Sequence, residues 1–312
     1  MALRKHLRGA VLVLCALTFA TGCGDDSPGA PEETAIVNFP GDAMTLHAAL
    51  DMAVPGDTVL VAPGEYMIDS SLVFDAGHTG VTLMGRPESE AVVGGAARPV
   101  LRFTMAQRGQ GIVVPSGVLG ITVRGLRLAG SLNDGVRLLA AGSRLVDCAI
   151  DSVSRFGVYC SGQDANSIVE RNVIVEPGIF GVDVANGAAP LITRNTIVGA
   201  NDCGIRTVFT EPRIERNVIV ESTNFGIACF IVSPVLSCNA FFANGTDYST
   251  ECAPGASDFH ADPLFCERAT FSISSGSPCA AANAGDCGQI GAGGVGCAVD
   301  TVAVAQTSPR VR

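Results

Sequence analysis

Gly111, Gly135, Gly157, Gly181, Gly204 and Gly226 recur at steps of 24, 22, 24, 23 and 22 residues. Each precedes a branched apolar residue: Ile112, Val136, Val158, Val182, Ile205 and Ile227. Asn172, Asn195, Asn217 and Asn239 run in phase with them, at steps of 23, 22 and 22. Each Asn sits in a near-copy of one phrase: VERNVIV at 169–175, ITRNTIV at 192–198, IERNVIV at 214–220 and LSCNAFF at 236–242. Self-similarity at a fixed short period marks a solenoid. A solenoid presents long repetitive faces, so any site must be built on those faces or on the loops between them.

Threading the repeat as strands separates an inside from an outside, because side chains alternate along a strand. With each Gly counted as zero, positions −1, +1 and +3 are expected to share the core face. Position −1 reads Asp134, Phe156, Phe180, Cys203, Phe225; position +1 reads Val136, Val158, Val182, Ile205, Ile227. Position +3 reads Leu138, Cys160, Val184, Thr207, Cys229, and the outer position +2 reads Arg137, Tyr159, Asp183, Arg206, Ala228. Leu145, Val169, Ile192, Ile214 and Leu236 are expected to point inward, as are Ile150, Ile174, Ile197, Ile219 and Phe241. The Asn residues share their parity and fall at a bend. Buried amides need partners, and stacked carboxamides supply them to one another as a ladder.

About 23 residues per coil, in three short strands, is the size of a right-handed parallel β-helix, an all-β solenoid with coils about 4.8 Å apart. Roughly eight or nine coils, a rod of about 40 Å, fit between Val59 and Phe242 by that spacing. Its open ends need covers. An amphipathic segment, Thr45 to Ala53, is expected to form an N-terminal cap helix with Asp42 or Thr45 as N-cap. Pro55-Gly56-Asp57 then turns the chain into a first strand at Thr58–Val61. A cysteine-rich segment from about 243 to 297 supplies the other cover. The expected domains are 36–253 for the capped helix, 254–300 for the stapled C-terminal cap and 301–312 for a tail.

Residues 1–22 read as an export signal, with Arg4, Lys5 and Arg8 ahead of a short apolar run from Val11 to Ala20. Ala20-Thr21-Gly22-Cys23 resembles a bacterial lipobox. That resemblance makes Cys23 the lipidated first residue of the mature chain, and Gly24 after it favours the outer membrane. An acidic, Pro- and Gly-containing tether spans 23–35. The expected location is the cell envelope, with the membrane as a partner through the lipid. Export also makes disulfides the default. Cys238, Cys252, Cys266, Cys279, Cys287 and Cys297 are expected to form three bridges, connectivity open. Cys203 and Cys229 stand four positions out of register, about 13 Å at strand rise, beyond the limit of about 7 Å for a bridge. Both are expected to be free. A bridge between Cys148 and Cys160 stays open.

Pro55-Gly56-Asp57-Thr58-Val59-Leu60-Val61-Ala62-Pro63-Gly64-Glu65-Tyr66 resembles the opening of parallel β-helix proteins of the pectate-lyase-like superfamily. The RNxIV coils resemble its repeats. Ala261-Asp262-Pro263-Leu264-Phe265-Cys266, Gly276-Ser277-Pro278-Cys279 and Cys287-Gly288-Gln289-Ile290-Gly291-Ala292 resemble the tail of an exported subgroup. The resemblance covers about residues 36–297 and implies the fold. It does not imply one activity, since the superfamily holds lyases, hydrolases, epimerases, tailspikes and adhesins.

Past the export signal the chain carries 17 arginines, no lysine and 30 acidic residues. Nucleic acid is excluded as a partner on that balance, because phosphate binding needs clustered positive charge. The mature histidines, His47, His78 and His260, fall in the cap, an early turn and the tail. No His or Lys base stands on the regular coils. Asp183 is the only acid on the +2 row, and Asp134 and Asp202 do not complete a calcium cage, which wants six or more oxygens. No metal and no cofactor are expected; calcium enters only with the lyase alternative. Asn133-Asp134-Gly135 resembles the Asp-Gly strands of alginate epimerases, in three residues common at turns. Arg137, Tyr159, Asp183 and Arg206, flanked by Arg155 and Asp134, form the candidate binding surface, suited to sugar hydroxyls or carboxylates. Arg171, Arg194 and Arg216 travel with the Asn phrase and read as part of the repeat. The favoured expectation is a non-catalytic envelope protein that binds glycan or another surface partner. The alternatives are a polysaccharide-active enzyme (uronate lyase or C5-epimerase) and a purely structural rod.

Overall fold

The computed structural model describes residues 34–86, 98–105, 109–130 and 132–298. The expected export signal, the expected lipidation site Cys23, nearly all of the expected tether and the expected 301–312 tail lie outside the described residues. The chain winds as a right-handed parallel β-solenoid. Each coil contributes one strand to each of three parallel sheets. The first sheet has nine strands, from Ile36–Phe39 to Val235–Ser237. The second has nine, from Glu65–Ile68 to Phe259–His260; the third has eight, from Leu72–Val73 to Thr246–Tyr248.

The register stacks the expected core. Val136, Val158, Val182, Ile205 and Ile227 pair in one continuous row of the third sheet. All five are 0% exposed. Ile150, Ile174, Ile197, Ile219 and Phe241 form the matching row of the second sheet. Each such side chain taken from water stabilises the column by about 1.5–3 kcal/mol.

The corner from the first sheet to the second is made by one residue in the left-handed region: Asp147, Arg171, Arg194, Arg216 and Cys238, at φ between 52° and 59°. That conformation is unfavourable for L-residues. On the last four of these coils the following residue is an Asn, which offsets it. Asn172 Nδ2 donates to Leu145 O at 2.9 Å and to Asn195 Oδ1 at 3.0 Å. Asn195 and Asn217 repeat the pattern on the next coils. The Asn172, Asn195 and Asn217 N–H groups also donate to the Oδ1 of the next Asn. The ladder ends on a residue the sequence reading did not include. Asp258 Oδ1 accepts from Asn239 N at 2.7 Å and Nδ2 at 3.1 Å. Its Oδ2 accepts from Tyr248 Oη at 2.6 Å. The arginine row beside the ladder is neutralised locally, as Arg171 shows with Asp147 and Glu170 at 2.6–3.0 Å.

The −1 row departs from expectation. Phe156, Phe180 and Cys203 do not join the main core; with Ala228 they form a separate cluster, packed against Tyr159, Ile179 and Phe225. The cause is Gly. A Cβ on Gly181 would stand 2.4 Å from Ile197 Cγ2 and 2.5 Å from Gly204 O, so position 0 itself faces inward. Gly and the next residue both face the lumen, the alternation breaks, and −1 is thrown outward.

The ends are closed as expected at one side and in two parts at the other. Leu46–Met52 is a helix whose N-cap Thr45 accepts from the Ala48 N–H at 3.1 Å. Ahead of it, Ile36–Phe39 adds a strand outside Thr58–Val61 that the sequence reading did not place. At the C-terminal end, Thr246–Tyr248 and Phe259–His260 pair with the last strands of the third and second sheets. The chain then turns back along the outer face of the second sheet. There Phe271, Ile273, Cys279, Ala280 and Ile290 pack on Val173, Val198, Val218, Val220 and Ala240.

Three disulfides hold this end: Cys229–Cys252, Cys238–Cys287 and Cys266–Cys297. Two expectations are corrected. Cys229 is bridged, because Cys252 lies 23 residues on, one coil away, at 5.2 Å between Cα atoms. Cys279 is a free, buried thiol within the apolar layer under the returning segment. Cys148, Cys160 and Cys203 are free and buried. Burial pushes the Cys148 thiol up to about 11 and the Cys160 and Cys279 thiols up to about 12. All three are therefore inert small hydrophobes at neutral pH.

Candidate functional site

The outer face of the third sheet carries two adjacent rows. Strands Leu132–Leu138, Phe156–Ser161, Phe180–Ala185 and Cys203–Val208 supply them. One row is Arg137, Tyr159, Asp183, Arg206, in register from strand to strand. The other is the displaced row of Asp134, Phe156, Phe180 and Cys203. The structure thus unites all six expected residues and adds two phenylalanines that the sequence reading placed in the core.

The rings stack on one another. Phe156 lies 5.3 Å from Phe180 and 5.7 Å from Tyr159, both with near-parallel planes. Each ring carries a guanidinium on its face: Arg155 over Phe156 at 4.4 Å, Arg137 over Tyr159 at 4.8 Å, Arg206 over Phe180 at 4.2 Å. Each contact contributes about 0.5–1 kcal/mol at such exposure. The phenylalanines are 6% exposed and the arginines form the outer layer.

Two carboxylates lie beneath, in different states. Asp183 is closed by Arg206 in a two-pronged pair, Nε–Oδ1 at 2.8 Å and Nη2–Oδ2 at 2.9 Å. Asp134, equally buried at 1% exposure, lies between Arg137 at 3.8 Å and Arg155 at 3.9 Å. Neither of its oxygens has a donor at hydrogen-bonding geometry, and buried Arg137 Nε likewise has no acceptor. Burial holds the Asp134 carboxyl above the ordinary carboxylate range, against the pull of Arg155, Arg137 and the nearby Phe156 N–H.

These residues do not fit a calcium cage. Both Asp183 oxygens are engaged by Arg206, and both Asp134 oxygens face arginines, whereas calcium wants about six to eight oxygens. Among the described residues no three of His, Cys, Asp and Glu gather closely enough to hold a metal ion. The histidines stand elsewhere. His47 and His78 contact backbone carbonyls near the cap helix, and His260, in the last strand of the second sheet, meets Asp247 at 2.9 Å. A groove of about 440 Å³ lies between the second sheet and the returning segment, lined by Arg127, Val173 and Phe271 among others. Arg127 is already paired with Asp151 there.

Fold and site together define a right-handed parallel β-helix with a decorated third sheet. Residues 110–259 match the family described as "Right handed beta helix region". The chain is similar to pectate lyase Pel9A at 13% identity, over 84% of this chain and 97% of that one, with a TM-score of 0.51. It is similar to a mutant PL6 family alginate lyase, AlyGC, at 16% identity over 72% of this chain and 34% of that one, with a TM-score of 0.51. The catalytic unit of the GH87 alpha-1,3-glucanase from Streptomyces thermodiastaticus strain HF3-3 aligns at 15% identity over 70% of this chain, with a TM-score of 0.48. This chain spans 48% of the glucanase and 34% of the alginate lyase. No curated protein sequence matches it. At these identities the likeness shows the fold alone.

Proposed function

We propose that this protein is an envelope-anchored β-helix that binds a polysaccharide along the outer face of its third sheet, without cleaving it. Anchoring rests on the lipobox-like Ala20-Thr21-Gly22-Cys23 and the acidic tether after it. Binding rests on one observation: three arginine-on-aromatic stacks on neighbouring strands, with two buried carboxylates between them. Polar forks beside flat rings, repeated at about 4.8 Å, match a ligand that is itself a chain of ring-shaped, hydroxyl-rich units. The strip carries three arginines to two carboxylates, in a chain where acids otherwise outnumber arginines.

The chemistry of the strip favours holding over cleaving. Arginine stays protonated and serves poorly as a base. Asp183 is engaged by Arg206. One observation favours the enzyme alternative: burial raises the Asp134 carboxyl above the ordinary carboxylate range, the direction in which hydrolases shift the carboxyl that serves as their acid.

A glycan array followed by titration tests the proposal. Wild type is expected to bind at least one polysaccharide, and Arg155→Ala to weaken it by about tenfold. Assays for unsaturated or shortened products on the bound polymer are expected to stay silent. Products that vanish in Arg155→Ala would replace binding by catalysis.

A further inference from the structure

We infer that Asp134, Arg137 and Arg155 form a subsite for the vicinal hydroxyl pair of a neutral sugar residue. The inference rests on the glycan-binding reading of the strip and goes further, to the chemistry of one ligand unit. Asp183 and Asp134 provide an internal comparison on the same sheet. Asp183 is saturated by the fork of Arg206. Asp134 has two arginines nearby and is saturated by neither, since both stand about one ångström too far, and the nearby Phe156 N–H pulls on the carboxyl without reaching hydrogen-bonding geometry. Buried polar atoms left in this way are rare and call for a partner.

The partner's chemistry follows from the three atoms. Both Asp134 oxygens accept, and Arg137 Nε donates. A ligand group must therefore donate twice and accept at least once, in one compact unit. A vicinal diol does so: its two O–H groups reach the two carboxylate oxygens, and its oxygens accept from Arg137 and Arg155. A carboxylate or sulfate group accepts only, and so offers no donor to either Asp134 oxygen. Arg155, with 46% of its side chain exposed, is the outermost of the three and covers Asp134 from the solvent side. Phe156 and Tyr159, stacked at 5.7 Å, form the apolar wall beside it.

Titration calorimetry with two neutral glucan oligosaccharides of equal length tests this. Internal residues of a 1,4-linked chain carry a vicinal diol; those of a 1,3-linked chain do not. The 1,4-linked chain is expected to bind about tenfold tighter or better. Asp134→Asn, checked for folding by its melting curve, is expected to abolish that preference. Arg155→Gln, which leaves the buried carboxylate in place, is expected to reduce it. Equal affinity for the two linkages, or a preference that survives Asp134→Asn, would overturn the subsite. Polygalacturonate serves as the control: binding to it that depends on Arg206 while the linkage preference is absent sinks the subsite and leaves the glycan reading standing. No binding to any of the three sinks both.

Discussion

At the corner between the first and second sheets, the same residue stands on four successive coils. In the Arg137 row of the third sheet, no two successive coils carry the same residue. The corner column is buried, and each carboxamide gives and receives along its length. The strip is half open, with one carboxylate satisfied and one not. Repetition marks the side chains that build the solenoid, because every coil poses the same backbone problem. Variation on a fixed register marks side chains released from that problem and available to a ligand.

The largest expected effect lies in the corner. The Asn195 side chain takes part in four hydrogen bonds, two accepted by Oδ1 and two donated by Nδ2. Asn195→Ala is expected to cost about 4 kcal/mol in chemical denaturation. A loss below about 1 kcal/mol would end the distinction between a structural column and a free one. Next comes Arg206→Ala, at about 3 kcal/mol, because it leaves Asp183 charged and buried. Removing both in Arg206→Ala/Asp183→Ala is expected to restore much of that loss; a double-mutant cycle with no coupling would contradict the pairing.

The smallest effect carries the opposite sign. The folded chain holds the Asp134 proton more tightly than the unfolded chain, since burial raises its pKa. Stability from this group is full below the ordinary carboxylate range. It falls as pH rises from that range to the raised value, and stays lowered above it. Asp134→Asn is therefore expected to stabilise the protein at neutral pH by about 1 kcal/mol or less, and to gain nothing near the acid end. Thermal melts across pH check this, and a destabilised Asp134→Asn at neutral pH would show the carboxylate to be satisfied after all.

The winding is legible in the sequence because period and parity suffice for it: the stacked Val182, Ile205 and Ile227 follow from spacing alone. The strip is legible only in part. Arg137, Tyr159, Asp183 and Arg206 stand on the +2 row as read, but Phe156 and Phe180 do not stand where strict alternation puts them. The signal was present in the Gly after each Phe, which turns inward and shifts the phase by one. Cys229 is out of register with Cys203 but in step with Cys252, since their 23-residue spacing is the coil itself. Asp258 is not legible in the period, because it ends the Asn series at a step of 19 and with a different side chain.

That terminal carboxylate gives the column a direction. Each amide passes its N–H toward the C-terminal end, and Asp258, which when ionised accepts and does not donate, receives the last one. Nothing can be handed onward from it. A further asparagine fits into this column only ahead of the aspartate, which stays the stop at the end of the line.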